Sequence, residues 1–66
     1  MKILINGQER DIEGAPTVAE LLRRLDLPER GVAVERNREI VPKTRHGDTV
    51  LKEGDILEIV ALVGGG

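Results

Sequence analysis

The chain contains no cysteine, no aromatic residue and no serine. Without cysteine there is no disulfide, no thiolate nucleophile and no thiolate metal site. Without Phe, Tyr or Trp there is no platform on which bases stack. With His46 as the single histidine, a hydrolase triad cannot be assembled. No apolar run approaches the ~20 residues of a membrane span. Met1-Lys2 leads into a short strand-like run rather than a long apolar leader segment. Ten Lys and Arg stand against 12 Asp and Glu, a formal net charge of −2. That balance argues against a nucleic-acid binder. A cytoplasmic protein is expected, with neither nucleic acid nor membrane as partner. Any covalent chemistry is expected to use something other than a side chain.

What remains is enough for one small domain. A chain of 66 residues buries roughly 60% of its unfolded surface, a single thin core without a deep pocket. The 39% hydrophobic and 33% charged residues exclude wholesale disorder.

Lys2-Ile3-Leu4-Ile5 reads as a strand. Asn6-Gly7 follows, the strongest two-residue hairpin signal, because a type I′ turn needs φ > 0 at both central positions. Gln8 to Glu13 reads as the return strand, with Ile12 inward. Thr17 fits a helix N-cap, and Glu20 three residues on completes a capping box. Val18, Leu21, Leu22 and Leu25 form one apolar stripe, with Arg23 and Arg24 on the solvated side. Pro28 bounds the helix. Val32 to Val34 suggests a third strand, with Val32 and Val34 on one face and Ala33 and Glu35 on the other. After a polar turn from Arg36 to Glu39, Ile40-Val41 is a brief fourth strand stopped by Pro42. Lys43 to Lys52 reads as mostly irregular, anchored by Val50 and Leu51. Glu53-Gly54-Asp55 is a turn, and Ile56 to Val63 is the last strand. The first and last strands are the most apolar, so both are expected at the centre of the sheet, paired in parallel. The expected class is α+β: a β-grasp, or ubiquitin-like, mixed sheet packed on one helix. Residues 1–63 form the domain and residues 64–66 a flexible glycine tail.

Three consecutive glycines at a stated position arise by chance about three times in ten thousand. A frayed end or leftover linker is the plain alternative. Chemically, a glycine tail enters a slot too narrow for any other backbone. Its reactive group is the α-carboxylate of Gly66, with Gly64 and Gly65 as spacer. A carboxylate becomes electrophilic once adenylated, and the nearest lysine to intercept it is Lys52. Docking three glycines costs roughly 3–6 kcal/mol of backbone order, so a neighbouring surface must supply binding energy. In the last strand Leu57, Ile59, Ala61 and Val63 share one face, expected against the helix. Glu58, Val60 and Leu62 share the other, a candidate partner-binding patch joined by Leu4 and Ala33.

The whole chain resembles the ThiS family of sulfur carriers in thiamine biosynthesis. The resemblance rests on the Asn6-Gly7 hairpin, the capped Thr17–Leu25 helix, Asn37 with Ile40-Val41-Pro42, the Gly54-Asp55 turn and the Gly65-Gly66 end. It implies that an adenylating, E1-like enzyme uses ATP and magnesium to activate Gly66. A cysteine desulfurase pathway then supplies persulfide sulfur, which yields a C-terminal thiocarboxylate. Thiazole synthase takes that sulfur into the thiazole ring. The chain would be a carrier and co-substrate rather than an enzyme, with no permanently bound cofactor, and a monomer when free.

Competing expectations share the tail chemistry: the small subunit of molybdopterin synthase, a carrier for tRNA thiolation, or a ubiquitin-like protein modifier. A β-grasp module touching RNA is a different class. Arg36, Arg38, Lys43, Arg45 and His46 form a basic stretch, diluted by Glu35, Glu39 and Asp48 and expected to be a solvated face. His46 is expected to be an ordinary loop residue. Asp48, Glu53 and Asp55 lack the ligand spacing of a calcium loop; turn chemistry is the simpler account of Gly54 and Asp55.

Overall fold

Asn6 and Gly7 adopt φ of 51° and 82°, the left-handed pair that matches the twist of a two-residue hairpin. The turn joins β1 (Lys2–Ile5) to β2 (Gln8–Asp11), antiparallel with Ile5 opposite Gln8. A computed structural model describes residues 1–28 and 30–61. Every residue of β2 is exposed. Ile12 lies just beyond the strand, half-buried against the core.

Helix α1 (Val18–Arg24) begins at the expected cap. Thr17 Oγ1 accepts from the Glu20 N–H at 3.1 Å, and Glu20 accepts from the Thr17 N–H at 2.8 Å. The remaining donors of the first turn are met from outside the helix. Val18 N–H donates to Thr49 O and Ala19 N–H to His46 O, each at 2.9 Å. A helix end left without such acceptors would strand buried polar groups. The segment read as irregular is therefore organised by the helix terminus. It contains a 3₁₀ turn (Lys43–Arg45) and a single bridge between Thr17 and Val50. Leu51 anchors it in the core, whereas Val50 is 47% exposed and lies opposite Thr17 in that bridge.

Strand β3 (Val32–Arg36) returns into β4 (Glu39–Val41) through a second tight turn, with Asn37 and Arg38 both at positive φ. The last described strand, β5 (Ile56–Ala61), enters the middle of the sheet. The order is β2-β1-β5-β3-β4. β5 runs parallel to β1, with Leu4 opposite Ile56, and antiparallel to β3, with Val34 opposite Ile59. β5 is the central strand and β1 pairs beside it in parallel, as expected for the two most apolar runs.

The core lies between sheet and helix. Ile3, Ile5, Val34, Val41, Leu57 and Ile59 face Val18, Leu21 and Leu22, with Leu51 closing the loop side. Leu25 packs at the edge. Ala61 keeps the inward register opposite Val32 but is exposed.

Candidate functional site

Burial alternates along β5. Leu57 and Ile59 are buried; Ile56, Glu58 and Val60 are exposed. The period of two assigned Glu58 and Val60 to the face away from the helix, and they lie there. Leu62 of the same patch lies outside the described residues, as do Val63 and Gly64, Gly65 and Gly66.

The register extends the patch across the sheet. Val60 is opposite Ala33, Glu58 opposite Glu35, Ile56 opposite Leu4, and Ile40 opposite Glu35. Leu4 is half-buried and Ala33 exposed. Sequence reasoning missed Ile56 and Ile40. Ile56 precedes Glu58 by two residues, so the same alternation points to it. Ile40 was assigned to a strand without a face, and it is 72% exposed.

Two polar clusters hold this sheet in place. At the head of β5, the Asp55 carboxylate accepts from Arg36 Nε at 2.8 Å, Asn37 Nδ2 at 3.2 Å and the Lys52 N–H at 2.8 Å. Burial pushes its carboxyl up, but these donors and the Arg36 charge outweigh burial and hold it below its ordinary value. Asn37 also clasps Ile56: its Oδ1 accepts from the Ile56 N–H at 2.9 Å, and its N–H donates to Ile56 O at 2.7 Å. Midway along β5, Asn6 bonds Ile59 through both ends of its side-chain amide. Together they fix the strand that leads toward the glycines.

The basic stretch does not form one solvated face. Arg36 is drawn into the ion pair with Asp55 at 2.8 Å. His46, expected as an ordinary loop residue, is buried, and its Nε2 lies 3.1 Å from Val41 O. A carbonyl only accepts, so Nε2 carries the proton. Spacing gave no warning, because the imidazole is enclosed by the helix N-terminus and the loop folded over it. Among the described residues no group of three or more His, Asp or Glu gathers as a metal site, and no helix is long and apolar enough to cross a membrane.

A mixed five-stranded sheet wrapped on one capped helix, with its first and last strands paired in parallel, is a β-grasp domain of the ubiquitin-like class. The ThiS family profile matches residues 3–66, so the glycine tail falls inside the match. The chain belongs to the ThiS family. It is 33% identical over 66 residues to the sulfur carrier protein ThiS of Escherichia coli, covering 100% of both chains. A crystal structure of the thiamine biosynthesis protein (ThiS) from Geobacter metallireducens superposes with a TM-score of 0.84 at 32% identity, again covering 100% of both chains. A thiazole synthase of Paramagnetospirillum magneticum is 52% identical over 66 residues, 100% of this chain and 20% of that protein. The chain thus spans about a fifth of the length of the thiazole synthases it matches.

Proposed function

We propose that the chain is a sulfur carrier for thiazole formation in thiamine biosynthesis. The observation that carries this is the extent of the family match, which runs through the final glycines to residue 66. The working group is the α-carboxylate of Gly66, with Gly64 and Gly65 as the slender approach. A carboxylate oxygen attacks the α-phosphorus of ATP on an adenylating enzyme, with magnesium there, and pyrophosphate leaves. A persulfide from a cysteine desulfurase pathway displaces AMP. A second thiol cleaves the resulting S–S bond and leaves the thiocarboxylate. Thiazole synthase is the acceptor, and the chain is its co-substrate rather than a catalyst. Family resemblance and the thiazole synthase relatives support that partner.

The chain's own described residues fix the strand that precedes the tail in sequence. Asn6 and Asn37 hold β5, and the exposed Glu58 and Val60 supply a contact surface that leads toward the tail. Ordering three glycines costs roughly 3–6 kcal/mol, which burial of such a patch can offset at about 25 cal/mol per Å².

The test is an intact mass after incubation with ATP, the adenylating enzyme and a cysteine-fed desulfurase. The expected result is one oxygen replaced by sulfur, abolished by deletion of Gly66 with the fold retained. Loading that persists in the truncated chain would remove Gly66 as the acceptor. An unchanged mass, with the enzymes active on a known carrier, would point to a protein modifier.

A further inference from the structure

The helix covers one face of the sheet, and among the described residues nothing covers the other. On that open face Glu35 of β3 stands directly across from Glu58 of β5, and both are exposed. Directly opposed residues of an antiparallel pair hold their Cβ atoms about 5 Å apart, and like charges there repel. The two glutamates line one concavity of about 470 Å³ with Asn37, Arg38 and Ile56. Arg38 makes no ion pair with either. Among the described residues the ion pairs are Met1–Asp11, Lys2–Glu9 and Arg36–Asp55. Besides Asn37 and Arg38, the neighbours of the two carboxylates are apolar: Ile40 opposite Glu35, with Ile56 and Val60 on either side of Glu58. Like charges directly opposed on an antiparallel pair are unfavourable in a free chain. A cation brought by a partner relieves that repulsion only in the complex.

We propose that Glu35 and Glu58 together receive one arginine side chain of thiazole synthase, seated among Ile40, Ile56 and Val60. This rests on the carrier function proposed above. Arginine suits the pair because its planar fork donates to two carboxylates at once, which an ammonium does less well. A second copy of this chain suits it poorly, since two such faces in contact bring four glutamates together. Thiazole synthase is favoured over other proteins because two thiazole synthases, 52% and 41% identical to this chain over 66 residues, carry its counterpart in their own polypeptide.

The experiment is calorimetric titration of the full chain into the thiazole synthase of the same organism. Wild type is compared with Glu35→Gln, Glu58→Gln and the double variant, and each free chain is melted alongside. Each single variant is expected to bind about tenfold or more weakly, the scale of one lost charge-assisted hydrogen bond. Wild-type affinity falls with added salt more steeply than that of the double variant. The free variants melt about 1–5 °C higher, because the repulsion is gone. Undiminished affinity in the variants overturns the proposal. So does a lower melting temperature, which would mean that Arg38 already neutralises the pair in the free chain. A wild-type dimer lost in the double variant would assign the face to self-association instead. Absence of wild-type binding overturns the choice of partner, and the intact-mass assay then shows whether the carrier function fails with it.

Discussion

Asn6 and Ile59 are joined by two hydrogen bonds: Asn6 Nδ2 donates to Ile59 O at 3.0 Å, and Asn6 Oδ1 accepts from the Ile59 N–H at 2.8 Å. The Asn6 backbone N–H donates to Leu57 O at 2.9 Å. Strand β1 has ended at Ile5 and the chain is turning away. The side-chain amide takes the place of backbone and extends the parallel ladder by one more rung.

Asn6→Gly separates that rung from the turn. Glycine keeps the left-handed φ and loses both bonds to Ile59, an expected loss of about 1–3 kcal/mol. Asn6→Ala loses more, by about 1 kcal/mol, because alanine resists φ of 51°. Urea unfolding measures both. A Gly variant as stable as wild type would leave Asn6 with a turn role alone.

Asp55 makes stability depend on acid. Its carboxyl titrates below its ordinary value of 3.8 in the folded chain, so the unfolded chain takes up the proton first as pH falls. Its contribution is complete above the unfolded value and is lost as pH drops through the folded one. Asp55→Asn removes the charge facing Arg36 and is expected to lower stability by about 2–3 kcal/mol at neutral pH. Thermal melts between pH 7 and pH 2 should show a flatter acid limb in the variant. Parallel limbs would mean that other carboxylates govern acid unfolding.

The two faces of β5 predict opposite phenotypes. Leu57 is fully buried, and Leu57→Ala is expected to cost about 2–5 kcal/mol. Val60 is 53% exposed, and Val60→Asp should change stability by about 1 kcal/mol or less. The same Val60→Asp chain should bind the adenylating enzyme much more weakly in a pull-down or titration. A variant that unfolds as readily as Leu57→Ala would place Val60 in the core.

The elements that sequence patterning located share a property: each is specified by residues close together in the chain. Asn6-Gly7, Thr17 with Glu20, and the alternation from Ile56 to Val60 are of this kind. The parallel pairing of β1 and β5 was also legible, because two unusually apolar runs had few other places to be buried. What patterning missed depends on contacts that local periodicity does not encode. His46 is buried because its carbonyl and its ring serve Ala19 and Val41. Val50 reaches Thr17 through backbone, which carries no side-chain signal. Arg36 leaves the basic stretch for Asp55, and nothing within either turn announces the other. In the candidate site, Glu58 and Val60 followed from alternation, whereas Glu35 and Ile40 needed the inter-strand register.

The central strand, Ile56–Ala61, and its parallel neighbour, Lys2–Ile5, come from opposite ends of the described chain. The sheet cannot close before residue 61 has cleared the ribosomal exit tunnel, because Leu57 and Ile59 complete a core that the hairpin and helix cannot fill. Closing so long a loop slows folding relative to a helical bundle of equal size. A nascent chain stalled before β5 therefore exposes Ile3, Ile5 and Leu21 to chaperones or proteases. By the time β5 pairs with β1 and β3, the exposed Glu35, Glu58 and Val60 have all been synthesised.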